Sequence, residues 1–312
     1  MIIRDRPHGA QLFYILRGSV LPHIAWELAT CTAVALVVTL THGFVYHFKV
    51  TLTPVPFSLI GLALAIFLGF RNSAAYDRYW EARKLWGDLA HRARSFARQV
   101  QTLLHFPRPA DPSDPGDPRR VLILRTLAFA HALRHQLRCS DARADIERLL
   151  GPEEAQAFAG SRLGTDFLLR RMGAQLGDFL RAGRLDSPVA ADMDQMLSAL
   201  AAVAAGCARI KHTPIPFPYT LLLHRTAWMY CFLLPFGLVD AVGLMTPFVV
   251  AIVAYTFFGL DALGDEIEEP FGLAMNHLPL DALCRELEIN LLETLGETDL
   301  PQPLRPVQSQ LT

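Results

Sequence analysis

Two histidines four residues apart, His131 and His135, would share one face of a helix. Such a pair can hold zinc when further ligands complete the shell. No HExxH motif and no third ligand at a recognisable spacing accompanies them, and Arg134 and Arg138 alongside would repel a cation. His42 and His47 read as ordinary interfacial residues of a loop. A second candidate is acidic: GDEIEEPFG, Gly264 to Gly272, with Asp261 one turn earlier. Carboxylates on a constrained loop suit calcium. The competing reading is a helix with a solvated acidic face, ended by Pro270. His224, Arg225 and Glu27 lie within or at the edge of apolar runs. There an ionisable group marks a pathway or a partner, or else snorkels to an interface. The sequence has no GxGxxG, P-loop, GxSxG or paired catalytic carboxylate motif, and nothing in it points to nucleic-acid binding.

Leu62, Ile66 and Phe70 offer a different chemistry, the exclusion of water. They recur at i, i+4 and i+8, so one helix carries them as a stripe. An apolar constriction gates ions by dewetting and needs no polar ligand. The plainer reading of the same stripe is contact with lipid or a bundle core. Gly61, Ala65 and Gly69 repeat at the same spacing on a neighbouring stripe, a small face that lets another helix approach.

The elements that position these residues follow from the apolar pattern. Four runs stand out: Ile24 to Thr41, Val55 to Phe70, Tyr219 to Val239 and Val242 to Leu260. A bilayer span takes about 20 apolar residues. The first, third and fourth runs meet that, and the second is short. It passes without a breaker into the charged, aromatic segment RNSAAYDRYWEARKLW, which predicts one long helix leaving a membrane for water. The region from 71 to 215 reads as helical, with a Pro/Asp-rich loop from Pro107 to Arg120. Its helices are predicted over Val121 to Arg138, Ser140 to Leu150, Pro152 to Ala159, Arg162 to Ala182 and Val189 to Ile210. Lys211 to Thr220 is proline-rich and predicted extended. A last amphipathic helix covers Leu280 to Leu295, and the Pro/Gln-rich tail from Pro301 reads as disordered or draped on a neighbour.

Composition agrees with a membrane location. The chain of 312 residues is 52% hydrophobic and only 19% charged, with the apolar excess gathered in those runs. Its net charge of −1 gives no field that would favour nucleic acid. Five scattered cysteines form no disulfide or zinc pattern. No cleavable signal sequence is read in Met1 to Arg17. Arg4, Arg6 and Arg17 precede the first run, and Arg71, Arg78, Arg83, Lys84, Arg92 and Arg94 follow the second. Only Lys49 lies between those two runs. The positive-inside rule then places both termini and the 71–215 region in the cytoplasm.

The blocks FLGFRNSAAYDRYWEARKLWG (Phe67 to Gly87), TPIPFPYTLLLHRT (Thr213 to Thr226), LDALGDEIEEPFG (Leu260 to Gly272) and LPLDALC (Leu278 to Cys284), with RGS at Arg17 to Ser19, resemble the bacterial bestrophins. These are a branch of a family of ion channels, and the resemblance covers nearly the whole chain. It implies a homopentamer around one pore, with Leu62, Ile66 and Phe70 as three apolar rings of a neck. It also implies a second, cytoplasmic constriction at the start of the helix that carries Gly206 and Cys207, near Pro188 or Val189. In calcium-activated eukaryotic members a run of aspartates follows PFG. Here Leu273, Ala274, Met275, Asn276 and His277 follow it, so no calcium clasp and no other cofactor is expected. Bacterial members are similar to cation channels and the wider family to anion channels, so charge selectivity stays open.

The resulting expectation is an all-α membrane protein with four transmembrane helices continuous with a helical cytoplasmic domain, assembled as a homopentamer around a central pore. Residues 1–70 hold the N-terminal segment and the first two spans, and 71–217 the cytoplasmic domain. Residues 218–262 hold the last two spans, and 263–312 a cytoplasmic helix and tail. It would pass monovalent ions, chloride or sodium, across a bacterial inner membrane without chemistry, its partners being copies of itself and lipid. Two other classes remain: a membrane-anchored scaffold or sensor, and a metalloenzyme using His131, His135, His224 or the Asp265/Glu266 region.

Overall fold

The computed structural model describes residues 1–3, 9, 14–15, 17–45, 48–49, 53–107, 114 and 116–312, with the side chains of residues 45, 48, 49 and 54 also left aside. Arg4, Arg6, His47 and half of the Pro/Asp-rich loop lie outside the described residues. The chain divides into two compact units. One holds residues 4–79 and 214–270, the other 1–3, 80–213 and 271–312.

The first unit is built from α1 (Ala25–Leu40), the opening part of α2 (Pro54–Leu103), α8 (Phe217–Val242) and α9 (Thr246–Glu268). A hairpin of two-residue strands, β1 (Phe44–Val45) and β2 (Phe48–Lys49), lies between α1 and α2. Each helix buries a ridge of residues four apart: Cys31 and Ala35, Leu64 and Leu68, Ala227 and Cys231, Val250 and Ala254. Ridges at this spacing are what helices interdigitate. Glycine permits two close approaches of α2 to α8. A Cβ at Gly237 would lie 2.7 Å from the Phe57 ring, and one at Gly61 would lie 2.7 Å from the Tyr230 hydroxyl.

Among the described residues, two helical stretches are long and apolar enough to cross a membrane, Val55–Leu103 and Phe217–Glu268. The second contains α8 and α9, joined by a 3-10 turn at Gly243–Met245. The helix in the first apolar run is shorter than its sequence suggests. α1 has 16 residues, or about 24 Å at the usual rise, against the roughly 30 Å of a bilayer core.

α2 is a single helix of 50 residues. Its two prolines, Pro54 and Pro56, sit in the first turn, where the missing N–H costs nothing. No later proline interrupts it.

The second unit contains the later part of α2 with α3 (Pro118–Arg138), α4 (Arg143–Leu150), α5 (Pro152–Ala159), α6 (Gly164–Arg181), α7 (Ser187–His212) and α10 (Leu280–Thr294). α3 is its centre and packs on α4, α6, α7 and α10. It is buried over most of its circumference between Leu122 and Leu133, and its buried Arg119, Arg125 and His131 face carboxylates. Asp117 caps it by accepting the Arg119 N–H, Pro118 starts it, and Cys139 ends it in a left-handed conformation. Two buried polar contacts fix α3 to its neighbours. Arg125 donates from Nε and Nη2 to the two Glu154 carboxylate oxygens, both at 2.8 Å, and from Nη1 to Gln175 at 2.7 Å.

Three sequence expectations need correction. α4 starts at Arg143 and not Ser140, because the left-handed turn at Cys139 is followed by residues turning into the next helix. The extended link is shorter than Lys211 to Thr220: α7 runs to His212 and α8 begins at Phe217, with Pro218 in its first turn. The tail from Pro301 is ordered. It folds back on its own chain. The Ile3 N–H donates to the Ser309 carbonyl at 2.9 Å, Leu311 N–H to Met1 at 2.8 Å, and Ala282 N–H to Thr312 at 2.9 Å.

Candidate functional site

Within the first unit α2 presents two opposed faces. Leu64 and Leu68 are buried at 2% and 0% exposure. Two positions back, about 200° round the helix, Leu62, Ile66 and Phe70 are 60%, 47% and 64% exposed. The stripe therefore contributes nothing to this chain's own core. Val55, Leu59, Ile60 and Phe67 are exposed as well, so most of the apolar circumference of α2 is left without cover from its own chain. Of the small face, Gly61 meets Tyr230, whereas Ala65 is exposed and a Cβ on Gly69 would meet nothing within 4 Å. Phe67 is held in place by edge-on rings at Phe70 and Tyr219, and its carbonyl accepts from the Tyr219 hydroxyl at 3.1 Å.

One residue past the stripe, Arg71 turns inward. Its side chain has no exposure and reaches α9. Nη1 donates to the Asp261 carboxylate at 2.6 Å, and the other amino group pairs with Asp265 and, at 3.7 Å, with Glu268. His224 on α8 faces the second Asp261 oxygen through Nδ1 at 2.8 Å. Asn72 donates to the Leu260 carbonyl at 3.0 Å. Gly264 makes this approach possible, since a Cβ there would sit 2.5 Å from Asn72 Oδ1 and 3.4 Å from the guanidinium. A buried guanidinium is stable only when its charge and its donors are matched. Three carboxylates and a backbone carbonyl (Asp261, at 3.3 Å) match its charge and its two amino groups, while Nε has no hydrogen-bond partner among the described residues. The cluster anchors α2 to α8 and α9 directly below the exposed stripe.

The family model described as bacterial/fungal bestrophin protein matches residues 1–293. The chain belongs to this family. It is 44% identical over 312 residues to the voltage-dependent anion channel-forming protein mll4386 of Mesorhizobium japonicum, covering 99% of this chain and 96% of that protein. It is 40% identical over 306 residues to the voltage-dependent anion channel-forming protein YneE of Escherichia coli, with 98% of each covered. A crystal structure of a bacterial bestrophin homologue from Klebsiella pneumoniae superposes with a TM-score of 0.81 at 40% identity, covering 88% of this chain and 100% of that one. These relatives are named for forming channels and not for catalysing a reaction.

The other sequence candidates fall as follows. Pro188 is exposed and Val189 half-buried, both in the first turn of α7, the helix that carries Gly206 and Cys207. The acidic stretch Gly264 to Gly272 is neither a loop nor merely solvated. α9 continues through it to Glu268 and stops before Pro270, while Asp265 and Glu268 face Arg71. Glu268 also accepts the Ile215 N–H at 2.8 Å. Arg225 is exposed, and the buried oxygen of Glu27 has no hydrogen-bond partner among the described residues. His131 and His135 share a face as their spacing predicts, and their neighbours are ion pairs. His135 Nε2 lies 3.0 Å and His131 Nδ1 3.4 Å from Asp145, in a lattice with Arg134, Arg148 and Glu288. Among the described residues no group of three or more His, Cys, Asp or Glu is placed to hold a metal ion.

Arg71 is the residue that sequence reasoning missed as a site. In the sequence it stands only as one of the positive charges after the second run. The signal was present: an arginine directly after an apolar helix needs an acidic partner, and LDALGDEIE supplies one at the end of another apolar helix.

Proposed function

We propose that this bestrophin is a passive ion channel of the bacterial inner membrane, a homopentamer in which α2 of each subunit lines a shared neck. The carrying observation is the exposed stripe Leu62, Ile66 and Phe70, set opposite the buried Leu64 and Leu68 and pinned below by Arg71. Five copies around a closed cyclic axis would turn these stripes into three apolar rings. Ala65 and Gly69, open in the single chain, would admit a neighbouring subunit. α1, α2, α8 and α9 are the four spans, with the short α1 helped by its flanking residues, and both termini lie in the cytoplasm by the charge rule. Pro188 and Val189 form the second constriction. Ions pass by transient wetting of the neck, with no cofactor and no calcium clasp.

The ion is a monovalent anion, in line with the names of the relatives. One observation favours the second reading, a cation channel: Arg71 is outnumbered by Asp261, Asp265 and Glu268, which leaves negative charge next to the stripe. The reversal potential of purified protein in a planar bilayer under asymmetric potassium chloride separates the two. Reversal near the chloride equilibrium potential supports anions, and reversal near that of potassium supports cations. Protein that inserts and passes no current refutes the channel and leaves a scaffold or sensor.

A further inference from the structure

The buried histidine of the helical unit sets a chemical condition on its surroundings. His131 on α3 is 3% exposed. Its Nδ1 faces Asp145 Oδ2 on α4 at 3.4 Å, and its Nε2 faces Glu288 Oε2 on α10 at 3.7 Å. These are ion-pair distances: neither ring nitrogen, nor Glu288 Oε2, has a hydrogen-bond partner among the described residues. A neutral imidazole carries one N–H, so its other nitrogen would turn a lone pair toward a carboxylate. Only the imidazolium, with an N–H on each side, suits both partners.

The remaining charges make the same demand. From α3, Arg134 reaches Asp145 at 2.6 Å and Asp281 at 3.1 Å, Arg138 reaches Asp281 at 2.7 Å, and His135 faces Asp145. From α4, Arg148 reaches Glu288 at 2.5 Å and Asp145 at 3.2 Å. From α10, Arg285 lies 3.4 Å from Glu288. Every one of these links, apart from those within a helix, ties α3, α4 and α10 together.

We propose that His131 is a buried proton-binding site which, when occupied, locks α4 and α10 onto α3 and, when empty, loosens them. Burial works against the charged ring, and the Asp145 and Glu288 carboxylates outweigh it, so the ring holds its proton above the ordinary histidine value of 6.5. The closed state keeps the proton and the open state does not. The stabilisation is therefore complete below pH 6.5 and is lost as pH rises through the raised value. One proton gives a slope of tenfold per pH unit in that window.

The test is hydrogen–deuterium exchange of the full-length protein in detergent between pH 6 and 9, corrected for the intrinsic pH dependence of exchange. Protection in α10 is expected to fall by up to tenfold per pH unit above pH 6.5. His131→Gln should remove that slope, and Glu288→Gln, by lowering the closed-state value, should end it at a lower pH. Flat protection in the wild type overturns the proposal, as does an unchanged slope in His131→Gln. If His131→Gln does not fold, the wild-type slope and the pH at which it ends in Glu288→Gln decide. The readout does not depend on conduction.

Discussion

Replacing Arg71 by Met should destabilise the first unit heavily, and the size follows from what is left behind. Asp261 has 6% of its side chain exposed. Without the guanidinium it keeps only His224 among the groups paired with it here, and Asp265 and Glu268 add like charge nearby. Removing one partner of a buried ion pair costs about 3–5 kcal/mol, because the other charge stays buried without compensation. At roughly 2–4 °C of melting temperature per kcal/mol for domains of 150–250 residues, the expected loss is about 6–20 °C. Removing the stranded charge as well, in Arg71→Met with Asp261→Asn, should return a large part of it, since neutral isosteres avoid the desolvation cost. Melting of detergent-solubilised protein, followed by intrinsic fluorescence, gives both values. A single variant within about 2 °C of wild type, or a double variant no better than the single, would refute the assignment of Arg71 as the anchor.

In the helical unit, Glu288 is drawn down to about 2: burial opposes the shift, and His131 and Arg148 overcome it. Asp145 is held well below the carboxylate range, chiefly by His131. Both contribute stability above the ordinary carboxylate values and lose it as pH falls through the depressed ones, so acid melting curves should show a steep decline below about pH 4.5 that is shallower in Glu288→Gln. Burial pushes the Cys207 and Cys284 thiols up to about 12, while Cys139 is exposed. A water-soluble maleimide at neutral pH should therefore modify Cys139 and spare Cys207 and Cys284 in folded protein, which peptide mass spectrometry reads directly. Cys139 also occupies a left-handed cap at φ 53°. Cys139→Gly should stabilise by about 1 kcal/mol, seen as a rise in melting temperature; a fall would show that its side chain contributes more than the strain costs.

The local features were legible because they depend on neighbours in sequence. The unbroken passage from Phe70 into Arg71 predicts the single helix α2, and Pro152 with Gly151 and Gly160 predicts α5 to the residue. The stripe at Leu62, Ile66 and Phe70 could be written down from spacing, and the structure leaves it uncovered. What the sequence hid were partners far along the chain. Arg71 meets Asp261 across 190 residues, and His131 meets Glu288 on a helix at the far end. Periodicity identifies a face and not what covers it, so the histidine pair read as a weak metal motif when its neighbours are salt-bridged carboxylates. The tail was misread for the same reason. Its Pro/Gln composition carries no core signal, and its partners are Met1 to Ile3, the opposite end of the chain.

Single-channel recording of Leu62→Ala/Ile66→Ala/Phe70→Ala beside the wild-type protein tests the neck most directly. If three rings of these side chains exclude water from the pore, the triple variant conducts more and stays open longer, because smaller side chains wet the constriction. Equal conductance and equal open time in the two proteins would show that ions do not cross at this stripe.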